Sequence, residues 1–135
     1  MKRFLIASHG QLATGFNSAL EVITGEHDNV HIFNCYIDDF NIQEEARQFL
    51  EKYQEDDIVV ITDLIGGSVN QVFLKLMDQY HFHLVSGANL SLVLELIVNP
   101  TATESKSSIK ETIEQAKSQI VYLNDIEEEI NDIES

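Results

Sequence analysis

Tryptophan is absent from this 135-residue chain, and cysteine and proline occur once each. A lone cysteine, Cys35, excludes both an internal disulfide framework and a Cys-based zinc site. With proline confined to Pro100, no Pro-rich linker divides the chain. Basic residues are scarce: 8 Lys and Arg stand against 23 Asp and Glu, a net charge of −15 with His neutral. Such a surface repels phosphate backbones and anionic leaflets, which argues against nucleic-acid partners and against membrane docking. No apolar run reaches the ~18 residues that a membrane span needs. The opening Met1-Lys2-Arg3-Phe4-Leu5-Ile6-Ala7 stops at Ser8-His9-Gly10, too soon for a signal-peptide core. The expectation is a soluble cytoplasmic protein of one domain.

What is present is a regular alternation of short apolar runs and amphipathic stretches. Phe4–Ala7, Val30–Tyr36, the β-branched Ile58–Thr62 and Phe82–Ser86 read as strands. Between them, Leu12, Phe16, Ala19, Leu20 and Ile23 share a helical face that Gly25 closes, as do Ile42, Ala46, Phe49, Leu50 and Tyr53. Val72, Phe73, Leu76 and Met77 form a third stripe, Leu90–Val98 a short apolar helix, and Thr103–Ser118 an amphipathic one. Ile120–Leu123 reads as a fifth, edge strand. Beyond it, residues 125–135 carry six acids and no base, with Ile126, Ile130 and Ile133 at helical spacing, and read as a helical or frayed tail after a domain spanning 1–124.

Repeated strand–helix units predict an α/β fold, an open and mostly parallel sheet with helices on both faces. At this length the flavodoxin-like order 2-1-3-4 is expected, with the site where the order reverses, between the first and third strands. The first strand ends in Ser8-His9-Gly10 and the third in Asp63-Leu64-Ile65-Gly66-Gly67-Ser68. Imidazole is nucleophilic near neutral pH, and a carboxylate on one nitrogen leaves the other free to attack. A glycine turn opening a helix offers backbone N–H groups to an anion. Together these suit phosphoryl transfer through a phosphohistidine. Taken singly, His9 reads as a structural strand-end residue, Asp63 as a helix N-cap and Gly66-Gly67 as a turn. A nucleotide site would want a Gly-rich Lys-Ser/Thr loop, and none is present.

These segments resemble those of a known family. Ile6-Ala7-Ser8-His9-Gly10, Asp63-Leu64-Ile65-Gly66-Gly67-Ser68-Val69-Asn70 and Ser86-Gly87-Ala88-Asn89-Leu90 are similar, in order and spacing, to motifs of the enzyme IIA components of the mannose-family sugar phosphotransferase system. The likeness runs to about Leu123. It implies that His9 takes a phosphoryl group from the histidine-containing phosphocarrier protein and gives it to a IIB component. The membrane IIC and IID components would be reached only through IIB. Asp63 would orient His9; the backbone at Gly66, Gly67 and Ser68 would cradle the phosphoryl group; Asn89 would support it. A homodimer is also implied, in which the edge strand crosses between subunits. Where the family often has Trp and Pro, this chain has Ile65 and Val69. A related phosphotransfer subunit, that of dihydroxyacetone kinase, tends to have Gly-Ser-Ala in place of Gly66-Gly67-Ser68.

Other residues have simpler readings. Ser8 and Thr62 flank the pair and read either as hydroxyl support for the site or as strand-end hydrogen bonds. His81 and His83 share one side of a strand without further ligands, so no metal site is expected, and no cofactor. Cys35 reads as a small core residue. Two other functions on the same fold are a regulatory module switched by phosphorylation of His9 and a flavin-binding protein. The flavin reading lacks the Ser/Thr-rich phosphate loop it needs after the first strand.

Overall fold

The computed structural model describes residues 1–126. Four strands, β1 (Lys2–His9), β2 (Val30–Cys35), β3 (Asp57–Thr62) and β4 (His83–Ser86), alternate with α1 (Leu12–Thr24), α2 (Ile42–Lys52) and α3 (Ser68–Leu76). Two further helices follow, α4 (Leu90–Val98) and α5 (Lys106–Lys117). The sheet runs β2-β1-β3-β4 with every pair parallel, the expected order. The alternation of side chains along β1 explains its two layers. Leu5 and Ala7 pack with α2 and α3, whereas Phe4 and Ile6 pack with α1, α4 and α5. In β3 every residue from Ile58 to Thr62 is buried, because the central strands are covered on both faces.

The helix starts follow side-chain chemistry. Asn41 accepts from the Glu44 N–H (3.2 Å) at the head of α2, Asn89 from Leu92 (2.8 Å) at α4, and Ser105 from Ser108 (3.1 Å) at α5. That last cap moves the start of α5 from the expected Thr103 to Lys106. The α1 stripe is narrower than expected. Ala13 and Leu20 are buried, but Leu12 and Ile23 face solvent. The second strand ends at Cys35, one residue early, since Tyr36 turns into the left-handed region at φ 68°.

The segment 120–123 forms no fifth strand with its own chain; its four side chains are exposed. A groove of about 430 Å³ lies along β4, between Phe82–Val85 on one side and Lys106, Ile109 and Ile113 of α5 on the other. Of the acidic tail, residues 127–135 lie outside the described residues.

Candidate functional site

The register of the sheet brings the two expected loops together. Ala7 of β1 lies opposite Thr62 of β3, and His9 lies opposite Cys35 of β2. Asp63, one residue past β3, therefore stands beside the end of β1. Its Oδ2 accepts two hydrogen bonds from one residue, from the His9 backbone N–H (2.9 Å) and from the His9 ring at Nδ1 (3.0 Å). Burial by itself would raise the Asp63 pKa, but the hydrogen bonds and the nearby ring outweigh it and hold the carboxyl below its ordinary range. An ionised carboxylate only accepts, so in the neutral ring Nδ1 carries the proton and Nε2 keeps its lone pair. Asp63 is nearly buried, and its other oxygen, Oδ1, has no hydrogen-bond partner. An orphaned buried carboxylate oxygen is costly, so the pair with His9 carries most of the compensation.

The imidazole is bounded on two further sides. A Cβ placed on Gly67 would sit 3.1 Å from His9 Cε1, so the glycine lets the helix start close against the ring edge. On the ring face lies Tyr36, with centroids 5.3 Å apart and planes tilted by 32°. The His9 side chain remains 39% exposed.

Gly66 sits in the exposed turn, Gly67 is the residue before α3, and Ser68 is its first residue. No side chain caps α3. Its leading N–H groups are thus free of side-chain acceptors, beside the histidine, with the positive end of the helix dipole behind them. The loops that follow the four strands contain no Lys or Arg and three carboxylates, Asp38, Asp39 and Asp63. Any anion held there relies on backbone dipoles and on what a partner supplies. Among the described residues no cluster of His, Cys, Asp and Glu could hold a metal ion.

The neighbours of the pair are placed by ordinary hydrogen bonds. Ser8 is buried and its hydroxyl accepts from the Ala13 N–H (2.7 Å), tying β1 to the first turn of α1. The buried Thr62 hydroxyl donates to Asn70 Oδ1 (3.0 Å) and lies 2.8 Å from the Ser86 hydroxyl. Asn89 uses its carbonyl oxygen to cap α4 and its amide toward Ala116 of α5 (3.4 Å), and it makes no hydrogen bond to His9 or Asp63. Cys35 is fully buried, and its thiol is pushed up to about 11, first by burial and then by the negative charge of Asp63. It stays protonated and serves as core.

With this geometry in place, likeness to known proteins is decisive. The family described as EIIA-man, PTS system fructose IIA component, matches residues 3–117. The chain belongs to the mannose-type enzyme IIA family. No curated protein matches this IIA component, but solved structures do. A protein from Klebsiella pneumoniae, proposed to be a phosphoenolpyruvate-dependent sugar phosphotransferase system permease, is 30% identical over 91% of each chain, with a TM-score of 0.84. The phosphotransferase system component EIIA of Streptococcus agalactiae is 25% identical over 92% of this chain and 98% of its own (TM-score 0.79). The PTS IIA protein associated with the fucose utilization operon of Streptococcus pneumoniae is 27% identical over 92% and 94% (TM-score 0.77).

Three residues of this IIA component escaped the sequence reading as parts of the site. Asn70 is buried, and its amide donates to the Ile65 carbonyl (2.9 Å), so it bridges Thr62 to the turn. Its place in the Asp63–Asn70 motif was visible, but a polar residue inside an apolar helical stripe was the only signal of its role. Ser86 shares that network. Tyr36 gave no signal, because nothing in Cys35-Tyr36-Ile37 announces a left-handed turn at a bulky residue.

Proposed function

We propose that this IIA component is a phosphocarrier whose Nε2 of His9 accepts a phosphoryl group from a phosphohistidine donor and passes it to a IIB component. The observation that carries the reading is the Asp63–His9 hydrogen bond at Nδ1, which frees Nε2 of the neutral ring to act as the nucleophile near the uncapped start of α3. In the transfer, the Nε2 lone pair forms a bond to phosphorus as the donor's N–P bond breaks. The Nδ1 proton stays on the hydrogen bond to Asp63, which offsets the positive charge gained by the ring. The donor imidazole leaves neutral, and the second transfer reverses these events. The Gly67 N–H already donates to the Leu64 carbonyl (3.2 Å), so the leading N–H groups of α3, from Ser68 on, receive the phosphoryl oxygens. Because the loops around His9 supply no cation, the donor and acceptor proteins bring the positive groups.

Leu12, Tyr36, Ile37, Leu64 and Ile65 are exposed in the loops and helix start nearest His9 and suit an apolar docking rim. The donor is the histidine-containing phosphocarrier protein of the system, IIC and IID are met only through IIB, and the setting is the cytoplasm. No helix among the described residues is long and apolar enough to cross a membrane. Incubation with the phosphocarrier, its upstream kinase and labelled phosphoenolpyruvate tests the reading. Label enters the wild-type chain and not His9→Ala; label entering His9→Ala at the normal rate overturns it.

A further inference from the structure

Tyr36 is the one non-glycine residue among the described residues with a positive φ, 68°. A bulky side chain there is strained, its Cβ crowding the following carbonyl. Core burial does not offset that strain, since Tyr36 is 53% exposed. What the turn accomplishes is placement. Cys35 is the β2 residue opposite His9, and its carbonyl accepts from the Gly10 N–H (2.9 Å), so the two strand ends are held level. The left-handed step at the next residue then sets the Tyr36 ring on the face of the His9 imidazole, 5.3 Å between centroids. With Asp63 at Nδ1 and Gly67 at the Cε1 edge, the ring contact closes the third side.

We infer that Tyr36 is a positioning residue that holds the His9 ring and favours its phosphorylated form over its free form. The inference rests on the reading of His9 as the phosphoryl carrier. With a phosphoryl group on Nε2 and a proton on Nδ1 the imidazole ring itself bears a positive charge, the negative charges lying on the phosphoryl oxygens, whereas the ring protonated on Nδ1 alone bears none. An aromatic face near a cation attracts it, by an amount that at an exposed site corresponds to about a two- to fivefold change in an equilibrium constant. The tyrosine ring therefore shifts the phosphoryl equilibrium with the donor toward this protein, and it aims Nε2 at the incoming phosphorus.

Phosphoryl exchange at equilibrium between the phosphocarrier and the wild type, Tyr36→Phe, Tyr36→Ala and Tyr36→Gly tests this, together with the His9 Cε1–H resonance of each unphosphorylated protein. Loss of the ring in Y36A and Y36G lowers the exchange constant about two- to fivefold and moves the resonance as the ring current disappears; Y36F retains both. Y36G relieves the backbone strain, so its melting temperature is at least that of Y36A while its exchange constant stays low. That separates positioning from a general loss of stability. An exchange constant unchanged in Y36A, or lowered equally in Y36F, overturns the inference while leaving His9 as the carrier. A wild-type protein that takes up no label overturns the carrier reading and this inference with it.

Discussion

At the residue scale the site depends on what touches one imidazole. Gly67 matters for the side chain it lacks. A methyl group there meets His9 Cε1 at 3.1 Å and the Leu64 Cβ at 3.3 Å, so the ring edge is pushed away from the helix start by a few tenths of an ångström. Gly67→Ala is expected to slow phosphoryl transfer at least tenfold, the effect of a roughly 1.4 kcal/mol misplacement at the reacting atom, with little change in melting temperature. Transfer at the wild-type rate in that variant would remove Gly67 from the site. Another histidine behaves differently. His31 accepts a hydrogen bond from Arg3 (3.0 Å) and packs on Phe49 and Tyr53. Burial first, then the charges of Arg3 and Lys52, lower its pKa. The unfolded chain thus binds this proton more readily than the folded one. Stability is full above the free-histidine value, about 6.5, and declines as pH falls below it through the folded value. Thermal melts between pH 7.5 and 5 are expected to show this decline, shallower in His31→Gln; an identical slope in the variant would count against the assignment. His83, also lowered by burial, adds to the slope with the same sign.

At the element scale, the β3–α3 connection is the part that must not move. Asp63 leaves a fully buried strand, and within five residues the chain enters a helix that faces His9. Thr62, Asn70 and the Ile65 carbonyl hold this turn from the inside. Asn70→Ala leaves the Thr62 hydroxyl and the turn carbonyl without that partner, which costs about 1–3 kcal/mol. It is expected to lower the melting temperature and the transfer rate together. A variant that loses stability yet transfers normally would show that the network supports the fold and not the site. The same elements show how much was legible beforehand. The strand order, the ends of β3 and β4 and the meeting of His9 with Asp63 follow from apolar periodicity and the handedness of crossovers. The α1 face was overestimated because helical spacing says which residues align, not how many a partner surface covers. The role of Asn70 was missed because a buried polar residue is identified by its partners, and these are eight and five residues away.

At the scale of the whole molecule, charge and sheet edges decide what it meets. Net charge of −15 coexists with strand-end loops free of Lys and Arg. Lys2 and Arg3 are instead paired with Asp57 and Asp56 at the opposite end of the sheet. The strand-end face is thus acidic and apolar-rimmed, and partners with basic docking surfaces are proposed to meet it there. A second contact is proposed at the β4 edge, where backbone groups and the apolar lining of the groove are open. An exposed edge strand pairs readily, and the exposed Ile120, Val121, Tyr122 and Leu123 of a second copy are the strand proposed to cover it in a homodimer. Sedimentation at micromolar concentration is expected to give twice 15.3 kDa, with Val121→Asp shifting the protein to the monomer. A 15.3 kDa species alone would remove the dimer.

The sequence by itself determined the layered α/β architecture, the strand order and the two loops that carry chemistry, because periodicity, glycine turns and crossover handedness are local or nearly local constraints. Tertiary structure alone decided which atoms face one another. The double hydrogen bond to one oxygen of Asp63, the orphaned Oδ1, the close approach of Gly67 and the placement of Tyr36 against His9 all depend on registers between strand residues 26 and 55 apart in the chain. Such a register is set by packing on both faces of the sheet, and no window along the chain contains it.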